Sequence, residues 1–113
     1  MATRQETIDF ILDQVAGAGE ARAQKMFGEY ALYLDGRVVA LVCDDQLFVK
    51  ITEPGRAFVD EYYKEGYAYP GAKASMHIGE EMLDDREWLS ELLRLTALAL
   101  PLPKPKKKNQ KME

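Results

Sequence analysis

Cysteine, histidine and tryptophan each occur once in this chain. With Cys43 alone no intramolecular disulfide can form, a pattern that fits a reducing compartment. One cysteine and one histidine are also poor material for a tetrahedral metal site. No apolar run approaches the ~20 residues that cross a bilayer. The opening MATRQETIDF lacks the apolar core of a secretion signal. The cytoplasm is therefore the expected compartment, and no membrane is expected as a partner. The sequence contains no G-x-G-x-x-G, P-loop, H-E-x-x-H, C-x-x-C or G-x-S-x-G pattern. These gaps lead to the expectation of a binding or regulatory module rather than an enzyme, with no cofactor and no metal.

What is present is enough for one domain. The 113 residues are 47% hydrophobic and 30% charged, too apolar for a disordered chain. Net charge is −4, unevenly placed. Residues 104–113 hold five lysines and one glutamate; the other 103 residues hold ten basic and eighteen acidic side chains. An acidic body does not attract a polyanion by its long-range field. Prolines and like charges from Pro101 to Lys108 break any helix. The chain therefore divides into a domain over 1–100 and a disordered Lys/Pro-rich tail over 101–113.

The body alternates between helical and strand periods. Thr3 and Glu6 have capping-box spacing, and Ile8, Ile11, Leu12 and Val15 follow as one apolar stripe ended by Gly17-Ala18-Gly19. From about residue 25 the period becomes two, with Met26, Gly28, Tyr30, Leu32 and Leu34 on one face of an extended segment. Gly28 inside it points to a bulge or a close backbone approach. Asp35-Gly36 is a turn dipeptide that tolerates positive φ. Val38–Cys43 is apolar throughout, as in a strand covered on both faces. Asp44-Asp45 turns the chain into Leu47–Ile51, completing an antiparallel meander. Thr52-Glu53-Pro54 opens a second helix with Phe58, Val59 and Tyr62 inward, ended by Gly66. Tyr67–Tyr69 and Ala74–Ile78 read as short strands about the Pro70-Gly71 turn. A last helix, capped by Asp84 with Glu87 three residues on, runs to about Leu100. The predicted fold class is α+β, in the order α-β-β-β-α-β-β-α, with a meander sheet packed by helices.

Several side chains invite chemistry. A Cys43–His77 pair would need a base within hydrogen-bond reach of an exposed thiolate. Cys43 ends an apolar strand and precedes two aspartates, which favour an inert buried thiol. The acidic pairs Asp44-Asp45, Glu80-Glu81 and Asp84-Asp85 read as turn and capping residues before metal ligands. Tyrosines and phenylalanines across the body could stack bases, but a stacking platform needs neighbouring cations that an acidic body lacks.

The stretch Lys25-Met26-Phe27-Gly28-Glu29-Tyr30-Ala31-Leu32-Tyr33-Leu34-Asp35-Gly36 resembles the signature of the TfoX N-terminal domain family. The resemblance continues through Val39-Ala40-Leu41-Val42, Leu47-Phe48-Val49-Lys50, Phe58, Tyr69, Met76 and Glu81-Met82-Leu83-Asp84-Asp85. It spans about residues 8–100. Glu29 and His77-Ile78 depart from the usual pattern. The resemblance implies an α-β3-α-β2-α fold and a link to regulation of natural competence together with the cyclic-AMP receptor protein. It supplies no catalytic residue. Full-length regulators of this kind carry a second, helical domain, whereas the residues after Leu100 in this chain read as a lysine-rich tail.

Leu92–Leu100 is apolar nearly all round, which implies burial on more than one side. The expectation is that a partner supplies one of those sides through Leu92, Leu95, Leu98 and Leu100, either another protein or a second copy in a homodimer. The alternative function is a nucleic-acid-associated protein that binds weakly and without sequence preference through Lys104, Lys106, Lys107, Lys108 and Lys111.

Overall fold

The computed structural model describes residues 3–26 and 29–101. Helix α1 spans Gln5–Gln14 and buries Ile8 and Ile11, with Val15 at its C-terminus. Its start differs from the expected capping box: no side chain caps the helix at Arg4. The Thr3 hydroxyl instead meets Glu29 and the Val42 carbonyl, and its oxygen accepts from the Asp45 N–H. Asp45 in turn accepts from the Arg4 N–H at 2.9 Å and the Thr7 hydroxyl at 2.8 Å. Long-range bonds to the sheet have displaced the local cap.

The sheet has six strands: β1 Ala21–Met26, β2 Glu29–Leu34, β3 Arg37–Cys43, β4 Gln46–Val49, β5 Glu65–Tyr67 and β6 Ala74–Ile78. All pairings are antiparallel, in the order β1-β2-β3-β4-β6-β5. The α+β class and the meander agree with the sequence pattern. The segment expected to run continuously from Lys25 is divided, because Met26 pairs with Glu29 and residues 21–26 form a separate edge strand. Gly28 lies outside the described residues. The described irregularity falls instead between Leu32 and Tyr33, which pair with Ala40 and Val38 and skip Val39.

Both predicted hairpin turns hold. Asp35 and Gly36 have φ of 51° and 82°, and Asp44 and Asp45 have φ of 54° and 61°. These are the positive-φ pairs a two-residue turn needs between right-twisted strands. Between β4 and β6 lies α2 (Glu53–Val59), capped by Thr52, whose hydroxyl accepts the Gly55 N–H at 3.1 Å. Its continuation is a short 3-10 turn over Asp60–Tyr62, and Gly66 belongs to β5 rather than to a helix end.

Two helices close the domain, α3 (Glu80–Leu83) and α4 (Arg86–Ala99). The α4 cap is Asp85, not Asp84: its carboxylate accepts the Trp88 N–H at 3.0 Å. Helix α4 packs against the sheet and α1, and its Leu89, Leu92 and Leu93 join their residues in one core. Helix α2 covers a second side. A Cβ on Gly55 would lie 2.9 Å from Thr52 Oγ1, 3.2 Å from Thr96 Oγ1 and 3.4 Å from Leu92 Cδ1, so glycine sets the closeness of α2 and α4. No helix among the described residues is long and apolar enough to cross a membrane.

Candidate functional site

The two faces of the sheet are finished differently. Leu32, Ala40, Val42, Leu47, Val49, Met76 and Ile78 point into the core with the helices. On the opposite face one row crosses four strands: Ala31 beside Leu41, Leu41 beside Phe48, and Phe48 beside His77. Among the described residues the helices pack on the core face. Cover on the other face comes from the β5–β6 connection.

That connection makes three adjoining clefts. Tyr67–Gly71 encloses one of about 500 Å³ over Cys43, Gln46 and Phe48. Gly71–Ser75 encloses another of about 540 Å³ over Leu41, Phe48, Lys50 and Ile51, with Leu100 at its wall. The third, about 420 Å³, lies among Met26, Glu29, Tyr30, Leu41, Cys43 and Tyr69. Tyr69 lines all three and is 55% exposed. Phe48 on the floor is 6% exposed. Its ring stands 5.2 Å from that of His77, and a Cβ on Gly66 would lie 3.3 Å from it. The absent side chain at Gly66 leaves room for the Phe48 ring beside β5.

Charge is ordered along this groove. Lys50 and Lys73 stand at the end near Leu100. Asp44 and Glu29 stand at the other, where Glu29 Oε1 accepts the Thr3 N–H at 3.1 Å and the Asp44 N–H at 3.2 Å. Cys43 also lies there. Burial raises its pKa, and the Glu29 and Asp44 carboxylates add to the rise. The pKa of His77 is lowered, first by burial and then by Lys64. His77 Nε2 lies 2.7 Å from Gln46 Oε1. At neutral pH these shifts leave a thiol and a neutral imidazole, with the ring engaged by Gln46. An activated thiolate needs the opposite arrangement.

Two members of the acidic pairs, Asp45 and Asp85, have side-chain hydrogen-bond partners. Asp45 holds Arg4 and Thr7, and these hydrogen bonds lower its pKa. Glu80 and Glu81 lie in the first turn of α3, and Asp85 caps α4. Among the described residues no three His, Cys, Asp or Glu side chains gather at metal-binding distance. Phe48, Tyr67 and Tyr69 share one cleft of the groove, while other aromatics are engaged elsewhere. Tyr33 stacks under Arg22 at 4.0 Å, Tyr63 under Arg56 at 4.4 Å, and Tyr62 and Phe58 pack on Trp88.

The expected interface leucines separate. Leu92 is fully buried, so it is core and not contact surface; the correction comes from α2, which fills the side assigned to a partner. Leu95 and Leu100 are half-buried and Leu98 is 64% exposed. Lys104, Lys106, Lys107, Lys108 and Lys111 lie outside the described residues. Sequence reasoning weighed Phe48 and Tyr69 only as possible base-stacking residues, favoured core packing for them, and did not single out Leu41. The available signal was the unbroken apolar run of β3, which asks for cover on both faces.

Comparison with known proteins gives the same assignment as the signature stretch. A protein of Spirochaeta aurantia, described as an uncharacterized 12.7 kDa protein in the trpE 5′ region, is 40% identical over 99 residues. The match covers 88% of this chain and 84% of that protein. The family model of the TfoX N-terminal domain matches residues 13–100, from the end of α1 through α4. The chain belongs to the TfoX N-terminal domain family.

Proposed function

We propose that the protein is a small cytoplasmic regulatory module that works by protein contact, and that its contact surface is the groove on the helix-free face of the sheet. The observation that carries this reading is Tyr69, exposed at the meeting of three clefts whose floor is Leu41, Cys43 and Phe48. An apolar floor under an exposed aromatic suits an extended peptide segment, for which aromatic-lined grooves are a recurring receptor. The link of the family to competence regulation supports a regulatory role. Catalysis has less support, because burial and two carboxylates favour the thiol form of Cys43, and the His77 ring is engaged by Gln46.

The test compares capture of binding proteins from the native cell by the full chain and by Tyr69→Glu. Tyr69 is exposed, so the substitution leaves the fold intact. Loss of a captured protein with Tyr69→Glu, and its retention with Leu98→Glu, supports the groove. Equal capture by wild type and Tyr69→Glu overturns it.

A second reading rests on Leu98. This leucine stands out from α4 with Leu95 and Leu100 half-buried beside it, and a two-fold contact between copies would cover all three.

A further inference from the structure

We propose that the groove is occupied by the chain's own residues 101–108, which lie along it from Leu100 toward Glu29 and Asp44. The inference rests on the groove being a receptor for an extended segment, and it names the segment. Three observations carry it.

The first is continuity. Leu100 already forms part of the cleft over Leu41 and Phe48, and its backbone is extended, with φ −95° and ψ 144°. The chain therefore reaches the mouth of the groove in the conformation the groove would accept. No linker has to be spanned, and a tethered segment acts at an effective concentration in the millimolar range.

The second is the order of chemistry. Pro101-Leu102-Pro103 is uncharged and would pass Lys50 and Lys73 without repulsion, placing Leu102 against Leu41 and Tyr69. The lysines come afterwards, where the groove becomes acidic at Asp44 and Glu29. The reverse direction would set lysines beside lysines. Alternating prolines at 101, 103 and 105 favour polyproline II, the conformation that aromatic-lined grooves bind.

The third is length. From Lys50 back to Gln46 the strand spans about 14 Å at ~3.4 Å per residue, and the Asp44-Asp45 turn extends the path beyond it. A polyproline II segment of about six residues at ~3.1 Å each covers the strand and reaches the turn. Six residues after Leu100 bring the chain to Lys106, the first of three consecutive lysines.

The test uses the full chain with a nitroxide at Asn109→Cys in a Cys43→Ser background. The expected result is broadening of the Asp44, Glu29 and Tyr69 amide signals that is independent of protein concentration. It should disappear at ~0.5 M salt, where charge pairing is screened, and on Lys106→Glu with Lys107→Glu. An unlabelled Leu102→Asp chain should show amide shifts confined to the groove, which guards against a labelled variant that folds poorly. Absence of broadening at low salt, or broadening that grows with concentration because a second copy supplies the segment, overturns the proposal. If broadening is absent while Tyr69→Glu still abolishes capture of a partner, only the occupant is wrong. If both fail, the groove itself is wrong.

Discussion

The two faces of the one sheet differ in what covers them and therefore in what their side chains do. On the helix-covered face, Val39, Val42, Leu47, Val49 and Met76 are buried among isoleucines of α1, leucines of α4 and Val59 of α2. On the other face, Leu41, Cys43 and Phe48 lie under a single connection that carries Tyr69. The first arrangement buries its side chains in one continuous core. The second keeps clefts between the loop and the strands. The same two-residue period thus builds the core with one set of positions and a receptor with the other. A binding surface arises here where an apolar strand face meets loop cover instead of helix cover.

The largest effect should come from breaking the covered face. Leu92→Ala removes a fully buried side chain of α4 that packs where α2 approaches at Gly55. It should cost about 3–5 kcal/mol, as large-to-small changes in tight cores do. Leu41→Ala on the other face should cost about 1 kcal/mol, since Leu41 is only half-buried and borders open clefts. Chemical denaturation of both variants checks the contrast. Equal losses would mean that the clefts are packed as tightly as the core.

Next in size is the turn that sets the register of both faces. Gly36 has φ 82°, and a Cβ there would meet nothing within 4 Å. The cost of Gly36→Val is therefore backbone strain without any clash, about 1–2 kcal/mol for a β-branched residue at positive φ. Gly36→Asn should recover most of it, because asparagine tolerates this region. A melting midpoint unchanged in Gly36→Val would deny the strain.

Acid should loosen the tie between α1 and the β3–β4 turn. The pKa of Asp45 is lowered from 3.8, first by the Arg4 backbone N–H and then by the Thr7 hydroxyl. A carboxylate depressed in the folded state contributes stability above its unfolded pKa, and that contribution is lost as pH falls through the folded value. His77 acts with the same sign at higher pH. Its pKa lies below 6.5, so the unfolded chain takes up a proton first, and stability falls as pH drops through that window. Comparing the pH dependence of unfolding with that of Asp45→Asn and His77→Gln separates the two. A His77→Gln chain with the wild-type slope between neutral and mildly acid pH would remove the imidazole from the account.

These contrasts also show what the sequence made legible. Asp35-Gly36, Asp44-Asp45, Thr52-Glu53-Pro54 and the core stripes were readable because each depends on neighbours a few residues away. Thr3 was misread because its hydroxyl bonds across 39 residues to Val42. Strand β1 was missed because Ala21–Met26 has little apolar alternation and forms only as the edge partner of β2. The groove was half visible: β3 asked for cover on both faces, but nothing local says that a loop brings Tyr69 there. Leu92 was misplaced for the same reason, since the close approach at Gly55 is a property of two helices and not of either one.

The smallest effect on stability, and the sharpest on association, should come from Leu98→Glu. Leu98 is 64% exposed, so the change should leave unfolding within about 0.5 kcal/mol of wild type. Its effect on assembly depends on area. A stable interface buries about 800 Å² on each partner. Leu98 with the half-exposed parts of Leu95 and Leu100 falls well short of that, because α2 has taken Leu92 out of the surface. A two-fold contact there should be weak, with the chain a monomer at ~10 μM and associating only toward millimolar concentration, as interfaces below the standard size do. Sedimentation equilibrium across that range should show self-association in wild type and none in Leu98→Glu. A tight micromolar dimer that survives Leu98→Glu would place the contact elsewhere, and the helix-free face of the sheet would be the next surface to substitute, beginning with Tyr69.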